Sequence, residues 1–476
     1  MELAHAQSRE LANLVSLDER KAIGQYFTPL AVAELMASLC SIKGEVIRIL
    51  DPGGGTGVLA CALATELAKL RPAPRELHLV TYETDQAAVK RLEYVLDSLR
   101  AALVCKRLTF TFEIRARDFI LDRLALGSDS EPAFDAVIMN PPYFKIAKTD
   151  ARALAFPEVC HGQPNIYALF LALGLEVLRP AGQMISITPR SFMSGEYFKA
   201  FRRWALLRAY PDRIHLFRAR NRAFSHDDVL QENVIARWKN ELPRSRSMVA
   251  LSTSADAIDA ETAPATLVPL SELVNLSSHS LLIHLPANEE ELAAVRTLRE
   301  CAGVLRTLGF SVSTGRVVAF RAVEWLRPTP QKTERVARLL WLHNVDRSEV
   351  IWHPANNGKP EWIAVRPETK ALLIPRENYV LVRRFSSKDD RYRMIAAPLL
   401  SSEIEAEWIG VENHLNVISL PDTSNDAATA RRLSDYLNSE AVERYMRALS
   451  GNTQIGAAEL MSLPAPESLL GRSPGH

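Results

Sequence analysis

The chain has 476 residues, of which 47% are hydrophobic and 24% are charged, a composition that excludes a disordered or fibrous protein. The 57 basic and 56 acidic residues nearly cancel, so any charged surface must be local rather than spread over the whole chain. At usual domain sizes this length corresponds to about two to four domains, which suggests a catalytic unit with an appended second unit.

The first half of the chain alternates strand and helix patterns. Short apolar runs predict strands, and apolar residues at helical spacing predict helices. The predicted strands cover residues 48–51, 77–82, 134–139 and 184–187, and the predicted helices cover residues 58–70, 85–96 and 166–178. This alternation predicts an α/β, Rossmann-like domain, with a mostly parallel sheet between helices. Ligands of such sheets bind at the carboxyl ends of the strands.

The sequence changes character after Trp238. Residues 243–270 are rich in Ser, Ala, Thr and Pro and lack periodicity, which predicts a linker. Residues 271–476 contain short apolar and aromatic runs and helical stretches, which predict a second, mixed α/β domain. The first domain is therefore expected to span residues 1–242.

A glycine-rich segment, DPGGGTG at residues 51–57, lies between a predicted strand and a predicted helix. Glycines there let the backbone approach a ligand closely. The segment lacks the lysine of a phosphate-binding loop and the spacing of GxGxxG. Glu83 ends the next strand, where a carboxylate can bind both hydroxyls of a ribose. Together they indicate an adenosine-bearing cofactor, although a tight turn beside a solvent-exposed glutamate is the alternative.

A second motif, Asn140-Pro141-Pro142-Tyr143, ends another predicted strand on the same rim. The two prolines make the turn rigid, so the Asn140 amide oxygen and a neighbouring backbone carbonyl become fixed acceptors aimed at one point. An amino group that donates to both is held and made more nucleophilic. Tyr143 offers a ring on which a planar group can stack. A strand-ending turn with a core tyrosine is the alternative.

Other classes of site receive little support. The five cysteines lie far apart without a CxxC pair, so neither disulfides nor a zinc site is predicted. His161, His226 and His414 lack the spaced partners of a metal site, and no metal is expected. No run approaches the roughly 18 apolar residues that span a bilayer, and no signal peptide is evident, so we expect a cytoplasmic protein without a membrane partner.

The order of these motifs resembles the gamma class of amino-group DNA adenine methyltransferases of type II restriction–modification systems, the TaqI and PstI kind. The resemblance covers the first half of the chain well. It implies a seven-stranded methyltransferase domain, S-adenosylmethionine as cofactor and double-stranded DNA as substrate. The motifs that carry it are GQYFTP at 24–29, DPGGGTG at 51–57, Tyr82-Glu83, Arg117-Asp118-Phe119 and the Asn140 turn.

The resemblance also implies roles for individual residues. Phe27 and Thr28 would border the methionine end of the cofactor, Glu83 would hold the ribose and Asp118 the adenine amino group. The cofactor loop would be Asp51, Pro52, Gly53 and Gly55, with Asn140 beside it, and the target adenine would be held by Asn140, Pro141, Pro142, Tyr143 and Phe224. The usual loop reads Asp-Pro-Ala-Cys-Gly-x-Gly, so Gly53 and Gly54 are departures that should loosen the loop.

The mechanism and the partners follow from this resemblance. A base inside a duplex cannot present its amino group to the rim, so the enzyme must flip the nucleotide out. DNA also requires local positive charge, which residues 202–222 and 383–393 could supply. Segments around residues 378–388, 412–418 and 450–454 resemble the target-recognition half of PstI-like enzymes. The DNA-contacting candidates there are Arg383, Arg384, Lys388, Asn413 and Asn416.

The leading hypothesis is therefore a site-specific, adenine-specific DNA methyltransferase that is paired with a separate restriction endonuclease. Two alternatives stay open. A protein-glutamine methyltransferase would offer the same kind of amino group to Asn140, but it would not need a second domain of about 200 residues with basic and aromatic segments. A non-catalytic DNA-binding module would have no use for Glu83, Asn140 and Tyr143 together.

Overall fold

The computed structural model describes residues 1–14, 28–105, 107–125, 134–217, 232–244, 246–260, 262–330, 334–352, 358–386, 391–449 and 454–471. The chain forms two compact units, Met1–Ala287 and Asn288–His476. No helix among the described residues is both long enough and apolar enough to cross a bilayer.

The first unit is built on strands and helices that largely alternate. Its strands are β1 Val46–Pro52, β2 Glu76–Tyr82, β3 Thr109–Arg115, β4 Phe134–Met139, β5 Leu178–Pro189, β6 Tyr210–Phe217, β7 Asn233–Lys239, β8 Met248–Ser254 and β9 Thr266–Pro269. Its helices are α1 Glu2–Leu14, α2 Leu30–Ser38, α3 Val58–Leu67, α4 Gln86–Val104, α5 Phe119–Ala125, α6 Ala151–Ala155, α7 Ile166–Glu176, α8 Lys199–Leu206, α9 Ala257–Ala260 and α10 Leu270–Leu273.

The nine strands of this unit form one sheet in the order β3-β2-β1-β4-β5-β7-β6-β8-β9. Strands β1 to β5 pair in parallel, whereas β7 is antiparallel to both of its neighbours. The first seven strands in this order are the predicted Rossmann-like sheet, and this prediction is confirmed. Two further strands extend it at the β6 edge.

The core explains why these segments fold as they do. Ile47 and Ile49 of β1 are completely buried, as is Leu63 of α3. Every residue of α7 from Ile166 to Leu175 is buried, and a helix that is apolar all round is expected to lie inside a protein rather than on its surface. The buried helices fix the carboxyl ends of the strands that precede them.

The predicted linker at residues 243–270 is wrong, because this segment is part of the sheet. Strand β8 pairs in parallel with β6, and β9 pairs with β8. The serines that gave β8 the composition of a linker have partners in the structure: Ser252 and Ser254 each lie 2.9 Å from a ring nitrogen of the buried His215. The boundary between the two units falls after Ala287.

The second unit has mixed secondary structure, as predicted. Its helices are α11 Glu289–Arg299, α12 Ala427–Leu437, α13 Glu440–Leu449 and α14 Ala457–Met461. Its strands are β10 Gly303–Val304, β11 Ser311–Thr314, β12 Leu326–Arg327, β13 Val336–Leu340, β14 Val345–Asp346, β15 Glu349–Val350, β16 Trp362–Ala364, β17 Leu373–Pro375, β18 Tyr379–Arg383, β19 Ala396–Leu399, β20 Trp408–Val411, β21 Leu415–Ser419 and β22 Pro464–Ala465.

Two small sheets organise this unit. One has the order β11-β21-β18-β19 and the other β12-β16-β13-β20-β17. Apolar residues of both sheets, among them Leu381 and Leu340, share one buried cluster. The sheets therefore form a joint core that holds the loops at their ends in place.

Candidate functional site

The sheet register brings the two predicted motifs together. Strand β1 lies between β2 and β4, and Leu50 of β1 pairs with Val137 of β4. Gly53 lies three residues after Leu50, just beyond β1, and Asn140 lies three residues after Val137, just beyond β4. The glycine-rich loop and the Asn-Pro-Pro-Tyr turn are thus neighbours on one rim, as the order of strands predicted.

The glycine-rich loop is held by backbone hydrogen bonds. The amides of Gly53 and Gly54 both donate to the Tyr82 carbonyl, at 2.9 and 2.8 Å. Gly55 has φ +54°, in the left-handed region that favours glycine, and a Cβ placed there would meet no atom within 4 Å. The space in front of this loop is open, so a ligand can approach its backbone.

The expectation that Gly54 loosens the loop is not supported by the packing. A Cβ at Gly54 would lie 2.2 Å from Oγ1 of Thr81, which occupies the space that a side chain at Gly54 would need. The Thr81 hydroxyl donates to the Asp51 carbonyl at 3.0 Å. The threonine therefore braces the loop from the adjacent strand, and sequence inspection missed it because it lies 27 residues away.

Glu83 lies at the end of β2 and connects the loop to helix α4. One of its carboxylate oxygens accepts the Gly55 amide at 2.9 Å, and the other accepts the amides of Thr84 and Asp85 at 2.7 and 2.9 Å. Partial burial raises the pKa of Glu83, while these amides oppose the rise. A carboxylate has about four acceptor positions and three are taken by these amides, so about one position remains for a hydroxyl group of a sugar.

Asp51 is completely buried. The backbone amide of Ala60 favours its charged form, but neither carboxylate oxygen accepts a hydrogen bond of normal geometry among the described residues. Burial, and secondarily the negative charge of Glu83, raise the pKa of Asp51 to about 7. A buried carboxyl group without partners is costly unless a ligand satisfies it. Its position behind the glycine loop fits a donor group of a bound cofactor.

Asp118 lies at the start of α5, where one carboxylate oxygen accepts the Leu121 amide at 3.0 Å. Its other oxygen lies 3.6 Å from Nη1 of Arg152. Arg152 in turn forms a two-pronged ion pair with Asp150, at 2.9 and 3.0 Å. The arginine follows the Asn-Pro-Pro-Tyr turn by nine residues and contacts Asp118, the residue predicted to bind the amino group of the cofactor's adenine.

The side chain of Asn140 contacts the segment predicted to border the cofactor. Its amide nitrogen donates to Oγ1 of Thr28 at 3.0 Å, although the two residues are 112 positions apart. Thr28 is buried, whereas Asn140 is half-buried. The turn predicted to bind the target amine and the segment predicted to border the methionine end of the cofactor are therefore in direct side-chain contact.

Tyr143 is fixed by its hydroxyl group. This hydroxyl has a single hydrogen to donate and lies within hydrogen-bonding distance of two acceptors, the Asn140 amide oxygen and the Ile187 carbonyl, the second at 2.8 Å. The half-buried ring meets the ring of Tyr167 edge to face, with centroids 6.0 Å apart. Tyr167 stacks on Phe198 at 4.9 Å. Tyr167 and Phe198 thus support Tyr143 from one side, and no sequence motif predicted these contacts.

Three predicted residues, Phe27, Phe224 and Lys388, lie outside the described residues. The other cofactor and target candidates lie on the rim: Thr28, Asp51, Pro52, Gly53, Gly55, Glu83, Asp118, Asn140, Pro141, Pro142 and Tyr143. No cluster of metal-binding side chains occurs among the residues that the structure describes.

The two predicted basic surfaces contain buried as well as exposed residues among those described, and residues 218–222 and 387–390 lie outside the described residues. Arg202 is completely buried and donates to the carbonyls of Phe192, Gly195 and Ser280, so it stabilises the fold. Arg383 is half-buried and donates to the Val345 carbonyl at 2.7 Å.

Asn416 cannot contact DNA as predicted. It is completely buried, and its amide donates to the Ile455 carbonyl at 2.9 Å. Its residue type suggested base recognition, but its position on the paired strand β21 turns it inward. Arg384 and Asn413 are half-buried and lie side by side, with a 3.2 Å hydrogen bond from the guanidinium to the Asn413 carbonyl.

Comparison with known proteins assigns the chain to a family. Residues 64–224 match the family described as the Eco57I restriction-modification methylase. The type II methyltransferase M.PstI of Providencia stuartii is 32% identical over 96% of this chain and 90% of its own length. M.BsuBI of Bacillus subtilis is 31% identical over 94% of this chain and 89% of its own.

A solved structure shares the fold at low sequence identity. A nuclease-deletion mutant of the type ISP restriction-modification enzyme LlaGI, solved with a DNA substrate mimic, has 10% identity and a TM-score of 0.50. The match covers 94% of this chain and 54% of that one.

The Rossmann-like sheet and the two relatives that match nearly the whole chain place it among the methyltransferases of restriction–modification systems. Within that class the chain belongs to the type II DNA methyltransferases, the family that includes M.PstI and M.BsuBI. The family predicted from the motifs is thereby confirmed, over nearly the whole chain rather than the first half alone.

Proposed function

We propose that this protein transfers a methyl group from S-adenosylmethionine to the exocyclic amino nitrogen of an adenine that is flipped out of duplex DNA. The observation that carries the proposal is the 3.0 Å hydrogen bond between Asn140 and Thr28. This bond brings Asn140, which would bind the target amine, into contact with Thr28, which would border the methionine end of the cofactor.

The residues on the rim fit that cofactor. The buried Asp51 carboxyl group accepts no hydrogen bond of normal geometry among the described residues, and the space in front of Gly55 is open. Glu83 keeps about one acceptor position for a hydroxyl of a ribose. The residues that would hold the cofactor are Phe27, Thr28, Asp51, Pro52, Gly53, Gly55, Glu83, Asp118 and Asn140. When bound, S-adenosylmethionine supplies an activated methyl group on a sulfonium.

The chain itself contributes orientation and polarisation. The Asn140 amide oxygen and the Pro141 carbonyl would each accept one hydrogen of the adenine amino group. This draws the nitrogen lone pair out of conjugation with the ring and directs it at the methyl group. Transfer would exchange a C–S bond of the donor for a C–N bond and leave a neutral thioether. The proton released by the amino group would pass to solvent water, because the Asn140 amide oxygen and the Pro141 carbonyl accept hydrogen bonds but are not bases at neutral pH. An amide oxygen can accept two hydrogen bonds, so the Tyr143 hydroxyl and the substrate can share it.

Flipping a base costs a few kcal/mol of lost stacking. Tyr143 beside the rigid Pro141-Pro142 turn, together with Phe224, would recover part of this energy by stacking on the extruded adenine. In a restriction–modification system the methyl group would protect host DNA from a separate endonuclease. Duplex DNA is therefore the proposed partner, and no metal is needed for the transfer.

The proposal is tested with the purified chain, duplex DNA and isotopically labelled S-adenosylmethionine. We expect N6-methyladenine as the labelled product in digested DNA, identified by mass spectrometry. Asn140→Ala should abolish transfer and leave cofactor affinity within about tenfold, because it removes a contact made in the transition state. Asn275→Ala is the matched control, since Asn275 is exposed and lies away from the rim in sequence.

Methylated cytosine as the only DNA product, or near-normal turnover by the Asn140→Ala protein, would contradict the proposal. Label on glutamine of a protein substrate, with none on DNA, would favour the alternative acceptor instead.

A further inference from the structure

Three separate segments of the second unit meet where strand β18 ends. The Arg384 amide donates to the His414 carbonyl at 2.9 Å, which continues the pairing of β18 with β21 by one residue. Phe385 forms an antiparallel bridge with Gln454, and the Ile455 amide donates to the Arg384 carbonyl at 2.8 Å. Backbone pairing therefore fixes all three segments relative to one another.

The side chains at this junction hold each other in place. The Arg384 guanidinium donates to Oε1 of the exposed Gln454 at 3.3 Å and to the Asn413 carbonyl at 3.2 Å. The ring of Phe385 lies beside the imidazole of His414, with centroids 4.7 Å apart. Long polar side chains held in this way lose less conformational entropy when they bind a ligand.

His414 is oriented by a buried carboxylate. Nδ1 of His414 lies 2.5 Å from Oε1 of Glu412, and its backbone amide donates to Oε2 of Glu412 at 3.0 Å. The His414 side chain is 48% exposed, whereas that of Glu412 is only 2% exposed. A buried carboxylate costs free energy unless it is paired. Here both of its oxygens bind the same exposed residue, which fixes the outward direction of Nε2.

We propose that Arg384, His414 and Gln454 form a base-reading patch that contacts base edges in the major groove of duplex DNA, with Glu412 as the positioning residue of His414. This inference rests on the proposed function and adds the surface that selects the site. Arginine and glutamine match the acceptor and donor patterns of guanine and adenine. Contacts with phosphates need only charge, whereas directed and mutually fixed side chains suit base edges.

The experiment maps methylated adenines by long-read sequencing in a methylation-free host that expresses the full chain or its variants. For His414→Ala and Gln454→Ala we expect relaxed discrimination at one or two base pairs of the recognition sequence. We also expect kcat/KM on the native duplex to fall by about tenfold to 100-fold, as loss of a base contact should. Cofactor affinity should not change. The matched control is His279→Ala, because His279 is exposed and lies in the first unit.

Glu412→Gln tests the positioning role separately. It should relax discrimination at the same base pair as His414→Ala does. The KM for DNA should rise and kcat should change less, a combination that a purely structural role would not produce. The proposal would be overturned if both His414→Ala and Gln454→Ala kept the wild-type recognition sequence. It would also be overturned if these variants lost methylation equally for changes at every base pair of that sequence and had a lowered Tm. If the wild-type chain methylates no adenine at all, the proposed function fails and the patch fails with it.

Discussion

At the residue scale, Asp51 is the most unusual group on the rim. It is completely buried behind the glycine loop, and its pKa is raised to about 7 from an ordinary value of 3.8. The folded chain therefore takes up a proton between these pH values that the unfolded chain does not. We therefore expect the contribution of this group to the stability of the unliganded protein to fall as the pH rises from about 4 to about 7, by up to about 4 kcal/mol.

Replacing Asp51 with Asn should remove this contribution. We expect the Asp51→Asn protein to be more stable than wild type at pH 8, where the buried carboxylate is charged, and to match it near pH 4. It should also bind S-adenosylmethionine more weakly. Urea unfolding curves across this pH range measure the difference. A parallel pH dependence of stability in the two proteins would contradict the burial argument.

A further prediction concerns the contact between Gly54 and Thr81. The Gly54 backbone does not have a positive φ, so the obstacle to a larger residue is the 2.2 Å approach to the Thr81 hydroxyl. We expect Gly54→Ala to destabilise the protein by about 1–3 kcal/mol through overpacking. Adding Thr81→Ala should restore part of this loss. Thermal unfolding of both single variants and the double variant gives the coupling, and strictly additive effects would argue against the contact.

The rim could be found from sequence because its chemistry sits in short motifs at the ends of strands. The loop at residues 51–57 and the Asn140 turn needed only local patterns and the order of strands. The contacts of Asn140 with Thr28, and of Asp118 with Arg152, could not be found in this way. They join residues distant in the chain, and residue type alone does not show which side chains meet.

At the scale of elements, β8 shows where composition misleads. Its serines resemble a linker, but they contact His215, whose pKa is lowered to about 4, chiefly by burial. Asn416 and Arg202 mislead in the opposite direction, because polar residue types suggested a surface although both are buried. Burial depends on which face of a strand or helix is covered, and that is set by tertiary packing.

This position of β8 predicts the behaviour of truncated chains. A fragment of residues 1–287 should fold, since it contains the whole nine-stranded sheet. A fragment of residues 1–242 would lack β8, which would expose the edge of β6 and leave His215 without Ser252 and Ser254. We expect it to be insoluble or to melt at a clearly lower temperature. Equal solubility and equal Tm for the two fragments would refute this role for β8.

At the scale of the whole molecule, the two units divide the proposed work. The first carries the rim, where cofactor and target adenine would meet, and the second carries the patch around His414. Sequence reasoning identified the mixed character of the second unit but could not give its topology. Its strands are short and connect in an order that hydrophobic patterns do not encode.

The central claim is that this chain methylates adenine at one defined DNA sequence. Long-read sequencing of the genome of a methylation-free host that expresses the wild-type chain tests it most directly. We predict N6-methyladenine at nearly every copy of a single short sequence, and none in a host that expresses Asn140→Ala. A genome without methylated adenine, or adenines methylated without regard to sequence, would contradict it.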